Sequence, residues 1–188
     1  MFTPVKKSEG DGNNNIDGSN NQVRGLNNHV NGEDNVLIGI NNTMLGNRNK
    51  ALGLRNILFG DDNVILKGND NKIKGSLNLL EGDNNTIVGH ENAIKGDDNI
   101  AKGDKNTIQG DSNAAIGDKN SIGGSKNIAL GDENIIKGNM NAVNGSQNRL
   151  KGDANAINGN QNEVVGSMNI AQGDKNKIAG SKNLVNGN

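Results

Sequence analysis

The sequence predicts an all-β chain: a single β-solenoid of 14-residue coils, with two parallel β-sheets and a seven-residue half-coil repeat. Three observations predict it. Glycines recur every seven residues from 18 to 60 and, after one eight-residue step, from 68 to 187. An asparagine stands four residues before each of these glycines, except that the eight-residue step leaves Asn63 one place early. An apolar residue stands two before each, from Ile16 and Val23 to Ile178 and Val185.

A period of seven also describes a coiled coil, but that requires two apolar positions per heptad among strong helix formers. Here every heptad carries a glycine and an asparagine, both poor in helices. A short strand and a turn fit instead. In Asn-x-Ile-x-Gly side chains alternate, so the apolar residue points in and its two neighbours point out. The glycine supplies the positive φ of a tight turn. The next pair, often Gly-Asp-Lys or Gly-Ser-Lys, suits an exposed corner. Asparagines stacked coil on coil can bond the turn backbone and the next amide in the ladder. Two heptads close one flattened coil, giving roughly 12 coils stacked about 4.8 Å apart. The eight-residue step at 61–67 reads as a bulge. Residues 1–12 read as an N-terminal tail or cap, and 13–188 as the solenoid.

Composition narrows the function classes. The aromatics are Phe2 and Phe59 alone, so no wide globular core can be filled. Lys and Arg number 20 against 21 Asp and Glu, with no basic block, which argues against nucleic acid. There is no cysteine, and His29 and His90 stand on different heptads outside any ligand cluster. No run is long enough to span a membrane. Residues 1–9 show no signal-peptide pattern, which fits a cytosolic or a trimmed form and leaves the compartment undetermined. The Gly-Asp-x-Asn corners do not match the nine-residue calcium β-roll repeat. No catalytic constellation, metal site or cofactor site is visible. The expectation is a non-enzyme.

Alternate heptads place their outward residues on opposite faces. One face carries Thr86, Ile100, Ala114, Ile128, Ala142, Ala156, Ile170 and Leu184 in its first outward row. Its second row is Val88, Lys102, Ile116, Leu130, Asn144, Asn158, Gln172 and Asn186, and Lys102 is the single charge of the two rows. The other face mixes Lys, Arg and Glu with small residues. A long apolar strip marks a contact surface. Within 36–66 both faces are apolar, with Val36, Ile38, Leu45, Leu52, Ile57 and Phe59 directed outward, which suggests an oligomer patch or a surface under the N-terminal tail.

The heptad resembles the x-x-Asn-x-Val-x-Gly repeat of the grass ice-binding, or ice-recrystallisation-inhibition, proteins. Asn85-Thr86-Ile87-Val88-Gly89 and Asn106-Thr107-Ile108-Gln109-Gly110 carry the likeness, which extends over 14–187. That resemblance implies a left-handed β-roll whose flat face binds ice, here Thr86, Val88, Ile100, Ala114, Ile116, Ile128, Leu130, Ala142, Ala156, Ile170 and Leu184. Asn113-Ala114-Ala115-Ile116-Gly117 and Asn127-Ile128-Ala129-Leu130-Gly131 are also similar to head repeats of trimeric autotransporter adhesins, which implies β-rolls packed through apolar faces. The expected partner is therefore an ice surface or another copy of the chain. The alternative function is a self-assembling structural solenoid that uses the same apolar face.

Overall fold

A computed structural model describes residues 7–9, by backbone alone, and 12–187. It divides into two compact units, Met1–Asn92 and Ala93–Asn188. Each is an all-β solenoid with two parallel sheets and coils of 14 residues, as the repeat predicts. Of the expected N-terminal tail, residues 1–6 and 10–11 lie outside the described ones, while Lys7–Glu9 form a strand beside Gln22–Arg24.

In the first unit one sheet, here the Lys7 sheet, contains Lys7–Glu9, Gln22–Leu26, Val36–Ile40, Lys50–Leu54, Val64–Lys67 and Leu79–Glu81. The other, the Asn15 sheet, contains Asn15–Asp17, His29–Asn31, Thr43–Leu45, Ile57–Phe59, Lys72–Lys74 and Thr86–Val88. In the second unit the Ala93 sheet runs through strands beginning at 93, 107, 121, 135, 149, 163 and 177. The Ile100 sheet runs through those beginning at 100, 114, 128, 142, 156, 170 and 184. Neighbouring strands pair in parallel with a fixed offset of one coil, as in Ala142↔Ala156 and Asn144↔Asn158.

The asparagine ladder pins this register. Asn134 Nδ2 donates to Asn120 Oδ1 at 3.1 Å and to the Gly145 carbonyl at 2.8 Å. Its own Oδ1 accepts the Asn148 backbone N–H at 3.0 Å and Asn148 Nδ2 at 3.1 Å. Every lone pair and proton in use points along the stack, so a buried amide is satisfied instead of costly. A second ladder runs along the corners. The residue after each repeat glycine is mostly Asp, Ser or Asn, and its side-chain oxygen accepts the backbone N–H of its counterpart one coil earlier. The series Asp104→Asp118→Asp132→Ser146→Asn160 does so at 2.7–3.0 Å. Asp, Ser and Asn interchange there because each is a short side chain that offers an oxygen acceptor within two bonds of Cβ. His90 fills the same role with Nδ1, accepting Ser76 N–H at 3.1 Å.

Two features differ from the sequence reading. The positive φ belongs to more than glycine: the second residue after it is left-handed too, with φ of 55–62° whether it is Asn20, Leu77, Ala154 or Met168. The chain accepts this cost, of order 1–2 kcal/mol per non-glycine residue, because the coil cannot otherwise turn in two residues. The other concerns the eight-residue step. Leu66, two before Gly68, points outward and is 53% exposed, whereas Ile65 is buried at 2%. Asn63 keeps its rung, bonded to Asn49 Oδ1 at 3.1 Å and to the Gly75 carbonyl at 2.7 Å. The bulge therefore lies between core residue and glycine, where the pairing shifts from Leu80↔Ile65 to Glu81↔Lys67.

The core is two facing rows of inward side chains. In the second unit Ile94, Ile108 and Ile122 of the Ala93 sheet are buried, as are Ala101, Ala115 and Ala129 of the Ile100 sheet. In these coils large side chains meet small ones, whereas farther along Ile136 and Leu150 share the core with Val143 and Ile157.

Candidate functional site

The Ile100 sheet presents its outward residues as straight rows. Parallel pairing aligns Ile100, Ala114, Ile128, Ala142, Ala156, Ile170 and Leu184 in one row, and Lys102, Ile116, Leu130, Asn144, Asn158, Gln172 and Asn186 in the other. Nine of the eleven residues expected at the site lie on this sheet. Thr86 and Val88 lie on the last strand of the Asn15 sheet in the first unit, paired there with Lys72 and Lys74.

On three strands of the Ile100 sheet the order of large and small residues is inverted relative to the Ala93 sheet, while Ala142-Val143 and Ala156-Ile157 keep the usual order. Ile100, Ile128 and Ile170 are exposed, while the alanines following them, Ala101, Ala129 and Ala171, are fully buried. On the Ala93 sheet the outward residues Ala93, Thr107 and Ser121 precede buried isoleucines. A one-residue slip would bury the larger side chains, but the asparagine and glycine of each heptad forbid it. Folding alone would favour Ala-Ile over Ile-Ala at these positions, because the larger side chain buries more apolar surface.

Relief along the rows is shallow. Between Ile128 and Ile170 the small residues Ala142 and Ala156 leave an apolar depression of about 470 Å³, bordered by the amides of Asn144, Asn158 and Gln172. Asn144 Nδ2 donates to Asn158 Oδ1 at 3.3 Å, an outer echo of the buried ladder.

The Ala93 sheet is charged. Its outward rows include Arg149, Glu163, Lys177, Lys137 and Lys151, with Lys177 Nζ 3.8 Å from Glu163. At a neighbouring corner Lys119, Glu133, Gln147 and Gln161 form a polar column. The Gln147 amide, and then Lys119, hold the Glu133 carboxyl below its ordinary value. In the first unit, side-chain bonds from Arg48 and Arg55 likewise hold Asp62 and Asp70 low. Among the described residues no group of three or more His, Cys, Asp or Glu is placed to hold a metal ion.

The expected oligomer patch is divided between two sheets. Val36, Ile38 and Leu52 stand on the Lys7 sheet, and Leu45, Ile57 and Phe59 on the Asn15 sheet. Sequence reasoning missed Leu26, Ile40, Leu54 and Leu66, which are exposed on the Lys7 sheet. A signal was present for three of them: an aliphatic residue directly after a repeat glycine, where Asp, Ser or Asn is the rule.

The model of one family, the grass antifreeze beta roll, matches twice, over residues 46–138 and 97–187. No curated protein matches. Among solved structures, the crystal structure of the polySia specific acetyltransferase NeuO aligns over 93% of this chain and 83% of that one, at 16% identity and a TM-score of 0.16.

Proposed function

Because the chain belongs to the grass antifreeze beta-roll family, we propose that it binds ice through the outward rows of the Ile100 sheet, without catalysing a reaction. The observation that carries this reading is the straight, nearly uncharged outward rows of that sheet, in which Ile100, Ile128 and Ile170 stand exposed beside buried alanines. Thr86 and Val88, outward on either side of the buried Ile87 in the first unit, are included in the proposal.

The physical case rests on spacing and charge. The β-ladder repeats outward groups about every 4.8 Å across strands and about 6.6 Å along them. Methyl groups cannot hydrogen-bond the water above them, so that water keeps its bonds to other water. The amides of Asn144, Asn158 and Gln172 can hold bridging waters beside the apolar row. Lys102 is the one charge in the rows, so little strongly held hydration has to be shed on contact. Both ladders stiffen the strands, which lowers the ordering cost of binding.

The test places a long charged side chain in the depression. Ala142→Arg and Ala156→Arg should each abolish ice shaping and recrystallisation inhibition while leaving the circular dichroism and Tm near those of the parent. Ser121→Arg on the Ala93 sheet should keep full activity. Unchanged activity in both alanine variants would sink the proposal.

A further inference from the structure

We propose that Asn144 and Asn158 are self-modifying sites, converted by reaction with water to aspartate and isoaspartate in a fixed order, Asn144 first, because one backbone rung links the two. The proposal does not depend on ice binding.

Among the described residues an asparagine directly precedes a repeat glycine at 31, 144, 158 and 186. Glycine has no Cβ to shield its nitrogen, so an Asn-Gly step favours attack of that nitrogen on the asparagine side chain. The N–Cγ bond forms, the Cγ–Nδ2 bond breaks, and ammonia leaves with the proton of the glycine nitrogen. Water then opens the five-membered imide. Opening at Cγ gives aspartate. Opening at the main-chain carbonyl gives isoaspartate, in which the chain runs through Cβ and Cγ. One water enters for each ammonia that departs. Asn144 and Asn158 are exposed to that water, at the border of the apolar depression.

The backbone ladder restrains each attacking nitrogen. Gly145 N–H donates to the Leu130 carbonyl at 2.8 Å, and Gly159 N–H to the Asn144 carbonyl at 2.9 Å. A nitrogen held in this way reacts when its rung opens. The acceptor that restrains Asn158 is therefore Asn144 itself. Imide formation draws the Asn144 main-chain carbonyl carbon into the ring, and isoaspartate turns it into a carboxylate beside the chain. Gly159 N–H then loses its acceptor in register. The influence does not run backwards, because Gly145 is held by Leu130, which has no side-chain amide. Conversion of Asn158 to aspartate also keeps the oxygen that accepts Asn144 Nδ2 at 3.3 Å. The relay stops there. Gly173 N–H, held by the Asn158 carbonyl at 2.9 Å, follows Gln172, whose longer side chain must close a slower six-membered ring. At the other two steps, Gly32 N–H is held by Asp17 and Gly187 N–H by Gln172, so neither is released by an asparagine.

Mass spectrometry of the folded chain, aged at mildly alkaline pH and then cleaved after glutamate, follows both sites on one peptide, 134–163. Singly converted peptides should carry the change at Asn144, and conversion of Asn158 should appear mainly on peptides already converted at Asn144. Asn144→Gln keeps the amide and the rung, and should slow conversion of Asn158 about fivefold, the worth of one backbone bond. Asn158→Gln should leave the rate at Asn144 unchanged, and neither variant should alter Asn31 or Asn186. Circular dichroism and Tm near the parent's show that both variants fold. In urea the two sites should convert faster and in no order, since the ladder is gone. Conversion of Asn158 as fast in Asn144→Gln as in the parent overturns the relay. So does an order that survives in urea. A folded chain that converts at neither site overturns the assignment of the sites themselves.

Discussion

At the residue scale, the two glycines Gly123 and Gly131 show how differently one residue type can serve. Gly131 has a φ of +117°, and an added Cβ would overlap the carbonyl oxygen of Gly145 in the next coil. Gly131→Ala should therefore destabilise the protein by roughly 3 kcal/mol or more, from backbone strain and lost stacking. Gly123 stands at an outward strand position, with its nearest neighbour, the Ile136 carbonyl, 3.9 Å from a built Cβ. Gly123→Ala should be neutral or stabilising by about 0.5–1 kcal/mol, and urea unfolding of the two variants checks the contrast. The charged corners give a second test. Arg48 meets Asp62 through two bonds of 2.7 Å, and Arg55 meets Asp70 through two of 2.6 Å. Both carboxyls are lowered by their arginine bonds. A lowered carboxyl stabilises the fold above its unfolded value of about 3.9, and that contribution fades as pH falls through the lower folded value. These pairs are exposed and salt-screened, so the effect is modest. Arg48→Ala with Arg55→Ala should flatten the fall of Tm on acidification from about pH 5 to 2; an unchanged acid slope would refute the assignment.

At the element scale the half-coil behaves as a cassette with three obligatory places and four free ones. Asparagine, core residue and glycine were legible because each has a distinct chemical job that repeats. The bulge was legible as an insertion, but its position was not. Either Ile65 or Leu66 satisfies the pattern, and only the pairing of Val64 and Ile65 with Leu79 and Leu80 decides between them. Deleting Leu66 leaves Asn63-Val64-Ile65-Lys67-Gly68, a regular heptad. The deletion should fold with a Tm no lower than the parent's, since the lost residue is exposed and makes no rung. A large drop in Tm would show that the bulge itself is needed. The left-handed second corner residue was not legible at all, because the structure requires a backbone angle there and the sequence leaves the side chain free.

At the scale of the whole molecule, two surfaces of different character emerge from one repeat. The rows proposed for ice are nearly uncharged, with aliphatic, small and amide side chains. The aliphatic cluster of Leu26, Ile38, Ile40, Leu52, Leu54 and Leu66 lies on the Lys7 sheet of the first unit. Ile38→Lys in that cluster should leave recrystallisation inhibition unchanged, whereas Ala156→Arg on the Ile100 sheet should abolish it. Equal loss in both variants would remove the assignment to the Ile100 rows. The division of the predicted apolar patch between opposite sheets follows from the same geometry: residues seven apart share a chemical role but not a face.

The seven-residue pattern by itself determined the solenoid, the inward row and the parallel register, because glycine, asparagine and core residue each fit only one place in a coil. It also sorted the outward residues into two faces, since two heptads close a coil. Tertiary structure decided the rest. It placed the bulge and the second left-handed corner. It revealed that Asp, Ser and Asn after glycine form a side-chain ladder, and that Leu26, Ile40 and Leu54 interrupt it. These features depend on which atoms meet between residues 14 or 15 apart, and the spacing of residue types along the chain does not specify those contacts.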